Sequence, residues 1–232
     1  MSASVTGAVR ARGAPARVRE AAALAAICAL MLGGAYAASW LAARVGLPVS
    51  RGLIFEGQWI APTLSRFPWA DCSAMLFFMV IAPLAWERWR GVSPRSVGFR
   101  SNAVSVALAA AVMVPAGVMW YVRHSVAREF GQDAGAGSPA LLLLYFLVVA
   151  VSEETAFRGM IQRRAAGLAG LYGSIAIASV AFVLWHGVPA DATQLAIRFG
   201  AAVVLGAVYR LTGSLLAPIA LHCAFNVVVC AG

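Results

Sequence analysis

About seven runs of roughly 20 predominantly apolar residues divide this chain: Ala21–Val45, Ala70–Trp86, Ala103–Val122, Ala140–Ile161, Leu171–Gly187, Ala192–Tyr209 and Ser214–Val229. In helical form each run matches a hydrocarbon core about 30 Å thick. A helix also satisfies its own backbone N–H and C=O groups where lipid offers no partner. With 62% hydrophobic and 12% charged residues, the chain lies well outside the composition of soluble domains. The expected fold is all-α, a polytopic transmembrane helical bundle of about seven to eight spans.

All 18 basic residues are arginines, so the net charge of +9 is read as loop charge that sets topology, and no nucleic-acid partner is expected. Arg10, Arg12, Arg17 and Arg19 precede the first run, and Arg88, Arg90, Arg95 and Arg100 crowd the loop after the second. The positive-inside rule makes both segments cytoplasmic. Alternate threading then brings Arg163, Arg164 and Arg210 to the same side and leaves Arg44, Arg51, Arg66, Arg123 and Arg128 on the other. The expected location is the membrane of a bacterium, its inner (cytoplasmic) membrane, with the N-terminus inside. The abundance of alanine and arginine points to a GC-rich genome.

Residues 1–19 read as a disordered basic cytoplasmic tail, because Arg, Ala and Gly dominate them. Residues 20–232 read as a single membrane domain. Between Gly46 and Trp69, a series of prolines and glycines interrupts any long helix. The segments Leu53-Ile54-Phe55 and Trp59-Ile60 are placed at the membrane interface, in a partly re-entrant loop. Gly131 to Pro139 reads as a flexible connection. Cys28, Cys72, Cys223 and Cys230 form no C-x-x-C pair and are read as small apolar side chains.

Three patterns share one spacing: Glu154 with Arg158, Phe182 with His186, and His222 with Asn226. Residues four apart lie on one helix face, one turn along. Three helices can therefore aim polar groups at one cavity, where charges avoid lipid by turning inward. A carboxylate partly removed from water is a better base near neutral pH, and a neighbouring imidazole shares the proton or holds the water. Glu153 and His186 are the candidates for that task. His222 and Asn226 suit the stabilisation of an oxyanion. Glu154, pointing away from the base, pairs with Arg158, and Phe182 packs against its neighbours. His124 is left over in a loop.

At these residues the chain resembles the CAAX prenyl endopeptidase and bacteriocin-processing (CPBP, or Abi) family of intramembrane proteases. Its E-E-x-x-x-R-G, F-x-x-x-H and H-x-x-x-N runs are matched by Glu153, Glu154, Arg158 and Gly159, by Phe182 and His186, and by His222 and Asn226. The resemblance covers residues 140–229, the expected protease core. It implies peptide-bond hydrolysis within the membrane, near the cytoplasmic side. The first glutamate and first histidine would activate water, and the second histidine and the asparagine would form the oxyanion site. The implied partners are membrane lipid and a membrane-anchored protein or peptide substrate.

Glu153, His186 and His222 are also the donor types of a catalytic zinc or other divalent metal site. A glutamate-type mechanism needs no such ion and is favoured here. Two other functions use the same residue types: a proton- or ion-coupled transporter and a non-catalytic membrane adaptor or immunity protein.

Overall fold

The computed structural model describes residues 14–47, 67–129, 139–187 and 191–230. The expected interfacial segments at 53–60, most of the connection before Pro139 and the first 13 residues of the tail lie outside them. Every described element is a helix. α1 comprises Ala14–Cys28, a π-helical turn Ala29–Gly33 and Gly34–Arg44; α2 comprises Trp69–Met75, a π-helical Leu76–Ile81 and Ala82–Trp89. The short α3 (Pro94–Val97) precedes α4 (Ala103–Glu129). α5 (Pro139–Glu154) continues through a π-helical Thr155–Gln162 into α6 (Arg163–Trp185), followed by α7 (Ala192–Thr212) and α8 (Leu216–Cys230).

Two boundaries differ from expectation. α1 starts at Ala14, inside the stretch read as a disordered tail. Ala and Arg are strong helix formers, and Pro15 falls in the first turn, where a missing N–H costs no helix bond. His124, assigned to a loop, lies within α4, which continues past its apolar run through residues compatible with helix.

Among the described residues five stretches are long and apolar enough to cross a membrane, and one of them, Ala140–Trp185, has 46 residues. A straight helix of that length would reach about 70 Å at 1.5 Å per residue, roughly twice a hydrocarbon core. It breaks at Gly170, whose φ of 71° and ψ of −167° are accessible to glycine and strained for other residues. The chain then turns back. Trp185 reaches Glu153 through a hydrogen bond, and the Phe182 ring lies 5.2 Å from that of Phe157. The two expected runs on either side of Gly170 are thus antiparallel neighbours, and the shorter Leu216–Val228 completes the apolar set.

The arginine-rich loops gather at one end, as alternate threading requires. Buried Glu87 accepts from Arg164 and forms an ion pair with Arg163, whose Nη2 lies 2.9 Å from Glu87 Oε1. Tyr209 donates its hydroxyl to the Val97 carbonyl, Arg100 Nε to that of Gly213, and Asn102 Nδ2 to that of Thr212. A Cβ on Gly159 would stand 2.9 Å from Val97 Cγ1, so the glycine of the first motif lets the π-helical stretch lie against α3.

Leu143, Leu144 and Leu147 of α5 are exposed, whereas Tyr145, Phe146 and Ala150 face inward. Lipid tails are as apolar as the leucines, so the bundle is held by packing and by its internal polar bonds more than by expulsion of water. Met31, Met79, Phe157, Met160, Ile161 and Phe182 form the packed centre, directly beside the polar constellation.

Candidate active site

Glu154 and Arg158 are fully buried and Glu153 is 3% exposed. Each such charge costs about 2.5–3.5 kcal/mol at the middle of a membrane helix, so compensation has to come from within the bundle. Arg158 Nη1 donates to Glu154 Oε1 at 3.1 Å and Nη2 to the Ala202 carbonyl at 2.9 Å. The guanidinium carbon also lies 5.2 Å from the centre of the Phe182 ring. The i,i+4 pair expected from the sequence is present.

Glu154 does more than expected. Its Oε1 lies 2.8 Å from His222 Nδ1, while Glu153 Oε2 lies 3.8 Å from His222 Nε2. The sequence places Glu154 among the converging polar groups but gives it Arg158 alone as a partner. Adjacent helical side chains diverge by about 100°, but an imidazole presents nitrogens on two edges, so two diverging carboxylates can each meet one. His222 is gripped between the paired acids.

His186 follows the last residue of α6. Its Nδ1 is 2.9 Å from the Phe182 carbonyl oxygen, and its Nε2 is 3.7 Å from Glu153 Oε1. Phe182 therefore supplies both an acceptor and a ring, 4.4 Å from the His186 ring between centroids. That pair of contacts accounts physically for the F-x-x-x-H spacing. Trp185, which the sequence reading left out, donates Nε1–H to Glu153 Oε1 at 3.1 Å. An indole N–H in apolar surroundings needs an acceptor, and that need was the available signal.

Trp185 therefore holds one carboxylate oxygen and leaves the other toward His222. Trp185→Phe is expected to lower the turnover number of the proposed hydrolysis about tenfold, the worth of one hydrogen bond to a charged group. KM should change little. Steady-state kinetics on the reporter peptides described below measure this; an unaltered turnover number would deny Trp185 that role.

A carboxylate and a carbonyl oxygen accept, so these partners place a proton on Nδ1 of each histidine. Both Nε2 atoms are turned toward Glu153. Gaps of 3.7 and 3.8 Å are too long for direct hydrogen bonds and suit a bridging water. These groups open into a cavity of about 600 Å³ that Asn226 also lines. Most of the remaining wall is apolar, and Tyr36, Ser39, Asp71 and Met75 contribute to it from α1 and α2.

Zinc-bound histidines characteristically donate their outer N–H to a carboxylate or carbonyl, and His222 and His186 do so to Glu154 and Phe182. The donor chemistry is therefore suitable. The inner atoms do not close to a metal-holding geometry: no group of three His, Cys, Asp or Glu among the described residues does. Glu153 stands 3.7–3.8 Å from both imidazoles, and no step below is routed through a metal.

Residues 135–228 match the family model described as type II CAAX prenyl endopeptidase Rce1-like. That segment contains all three motifs, and residues 1–134 lie outside it. No curated protein and no solved structure matches the chain.

Proposed function

We propose that this integral membrane protein, which carries an Rce1-like domain of the type II CAAX prenyl endopeptidase family, hydrolyses a peptide bond of a membrane-anchored protein or peptide with water activated by Glu153. The observation that carries the reading is the position of one buried carboxylate before two imidazole Nε2 atoms, at 3.7 and 3.8 Å, on the wall of a cavity. In this reading a water bridges Glu153 and His186. Glu153 takes its proton as the water oxygen bonds to the scissile carbonyl carbon.

The carbonyl π electrons move onto oxygen, and the oxyanion is met by the Asn226 carboxamide N–H and by the Nε2–H of His222, which in this reading is doubly protonated before substrate binds and keeps both protons throughout. Collapse of this intermediate breaks the C–N bond, and Glu153 returns the proton to the leaving amine. Glu154 and Arg158 act through His222: they hold its Nδ1–H and thereby the direction of Nε2. The arginine-rich end is assigned to the cytoplasm of a bacterial inner membrane by the positive-inside rule.

The test reconstitutes the full chain in liposomes with N-acylated reporter peptides in heavy-oxygen water. Mass spectrometry should find cleaved peptide with label in the new carboxylate. Glu153-dependent ion flux without cleavage would sink the peptidase reading in favour of transport. Activity should also survive exhaustive chelation. Stoichiometric zinc in active protein, with turnover lost on its removal, would overturn the unassisted water.

A further inference from the structure

Arg198 lies early in α7, within a membrane-crossing stretch. Its Nη1 donates to the carbonyls of His186 at 3.3 Å and Gly187 at 3.2 Å, and so caps the end of α6. The same side chain lines the cavity that holds Glu153, His222 and Asn226.

Its charge is treated differently from those of the other arginines inside the bundle. Arg158 is paired with Glu154, and Arg163 and Arg164 are paired with Glu87. Among the described residues no carboxylate lies within ion-pair distance of Arg198. Among the described residues Arg198 caps these two carbonyls through one nitrogen, and Nε and Nη2 of its planar fork make no hydrogen bond. A full cation is more than that cap requires, since a neutral amide also donates to carbonyls. At membrane depth a cation outside ion-pair distance of a carboxylate seeks an anion, and the cavity, whose wall also bears Asp71 and Glu153, is the space open to one.

The site also stands next to the chemistry. Arg198 bonds to the carbonyl of His186, the residue whose ring faces Glu153 at 3.7 Å. We propose that Arg198 is a specificity-determining residue that binds a carboxylate of the peptide, either its C-terminal group or an acidic side chain, and so selects substrates bearing that charge close to the scissile bond. A guanidinium fork matches a carboxylate in two parallel hydrogen bonds, and the apolar walls strengthen the attraction. The inference rests on the endopeptidase reading for its catalytic consequence and on the Arg198 environment alone for binding.

Three N-acylated reporter peptides test it in liposomes: one with a free C-terminal carboxylate, one with a C-terminal amide, and one amidated but carrying a glutamate near the cleavage site. The wild type should prefer a carboxylate-bearing peptide over the plain amide by about 30-fold in kcat/KM, mostly through KM, as expected for charge-assisted hydrogen bonds. The better of the two acidic peptides identifies the source of the charge. In Arg198→Gln the ratio should fall to about one, and Arg198→Lys should restore part of it, since it keeps charge but not the fork.

A ratio unchanged in Arg198→Gln, including equal losses on all three peptides, would reduce Arg198 to a helix cap and overturn the proposal. So would a wild type indifferent to the carboxylate. Equilibrium binding of fluorescent versions of the same peptides to Glu153→Gln protein separates the two readings. An Arg198-dependent preference in binding with no cleavage by the wild type would sink the peptidase reading and support the carboxylate site. Equal binding of acid and amide would sink the site.

Discussion

Glu153→Gln is expected to lower the turnover number about 10²–10⁴-fold, the range for loss of a general base. The substitution keeps the shape of the side chain and an oxygen to accept from Trp185, whose Nε1 lies 3.1 Å from Glu153 Oε1. It removes the basic oxygen that faces the two Nε2 atoms. The fold should survive, because Glu153 is not part of the Glu154–Arg158 ion pair. Peptide cleavage and thermal unfolding measured on the same preparation check both halves. Turnover within about threefold of wild type, a change worth well under one hydrogen bond to a charged group, would mean that another group activates the water.

Arg158→Met should act on stability first. It leaves Glu154, which is fully buried, without its guanidinium. Breaking a buried pair from one side costs about 3–5 kcal/mol, because a desolvated charge remains. The expected result is a marked fall in unfolding temperature in mild detergent. The double variant Glu154→Gln with Arg158→Met should recover much of that stability, since the orphaned charge is then gone. Activity should not return with it, because a glutamine accepts from His222 Nδ1, 2.8 Å from Glu154 Oε1, but lacks the negative charge that favours the cationic imidazole. An Arg158→Met protein that melts with the wild type would show that the pair does not carry the cost assigned to it.

What the sequence made legible follows the range of each interaction. Glu154 with Arg158 and Phe182 with His186 are four residues apart, so helix geometry alone puts them together. The gathering of Arg100, Arg163, Arg164 and Arg210 at one end follows from alternate threading of apolar runs. Trp185 meets Glu153 across 32 residues because the chain reverses at Gly170, and nothing in the sequence distinguishes that glycine from its neighbours Gly167 and Gly173. The grip on His222 spans 68 residues. It escaped notice because Glu154 already had a partner at helical spacing, and a carboxylate with two oxygens accepts more than one. The contributions of Tyr36 and Asp71 to the cavity depend on how α1 packs against α2 and how α2 packs against α5, which hydropathy does not encode.

Those contributions put part of the chamber wall outside the segment that carries the reactive groups. Glu153, His186, His222 and Asn226 fall inside the segment with the family match, whereas Tyr36, Ser39, Asp71 and Met75 fall outside it. Part of the enclosure is therefore encoded apart from the reactive groups, while the rest of the wall shares their segment. A substitution on the inward face of α1 or α2 can reshape what the chamber admits while the carboxylate and both imidazoles stay in register. Grafting a first half from another sequence onto this second half would change that part of the wall and leave the reagents in place.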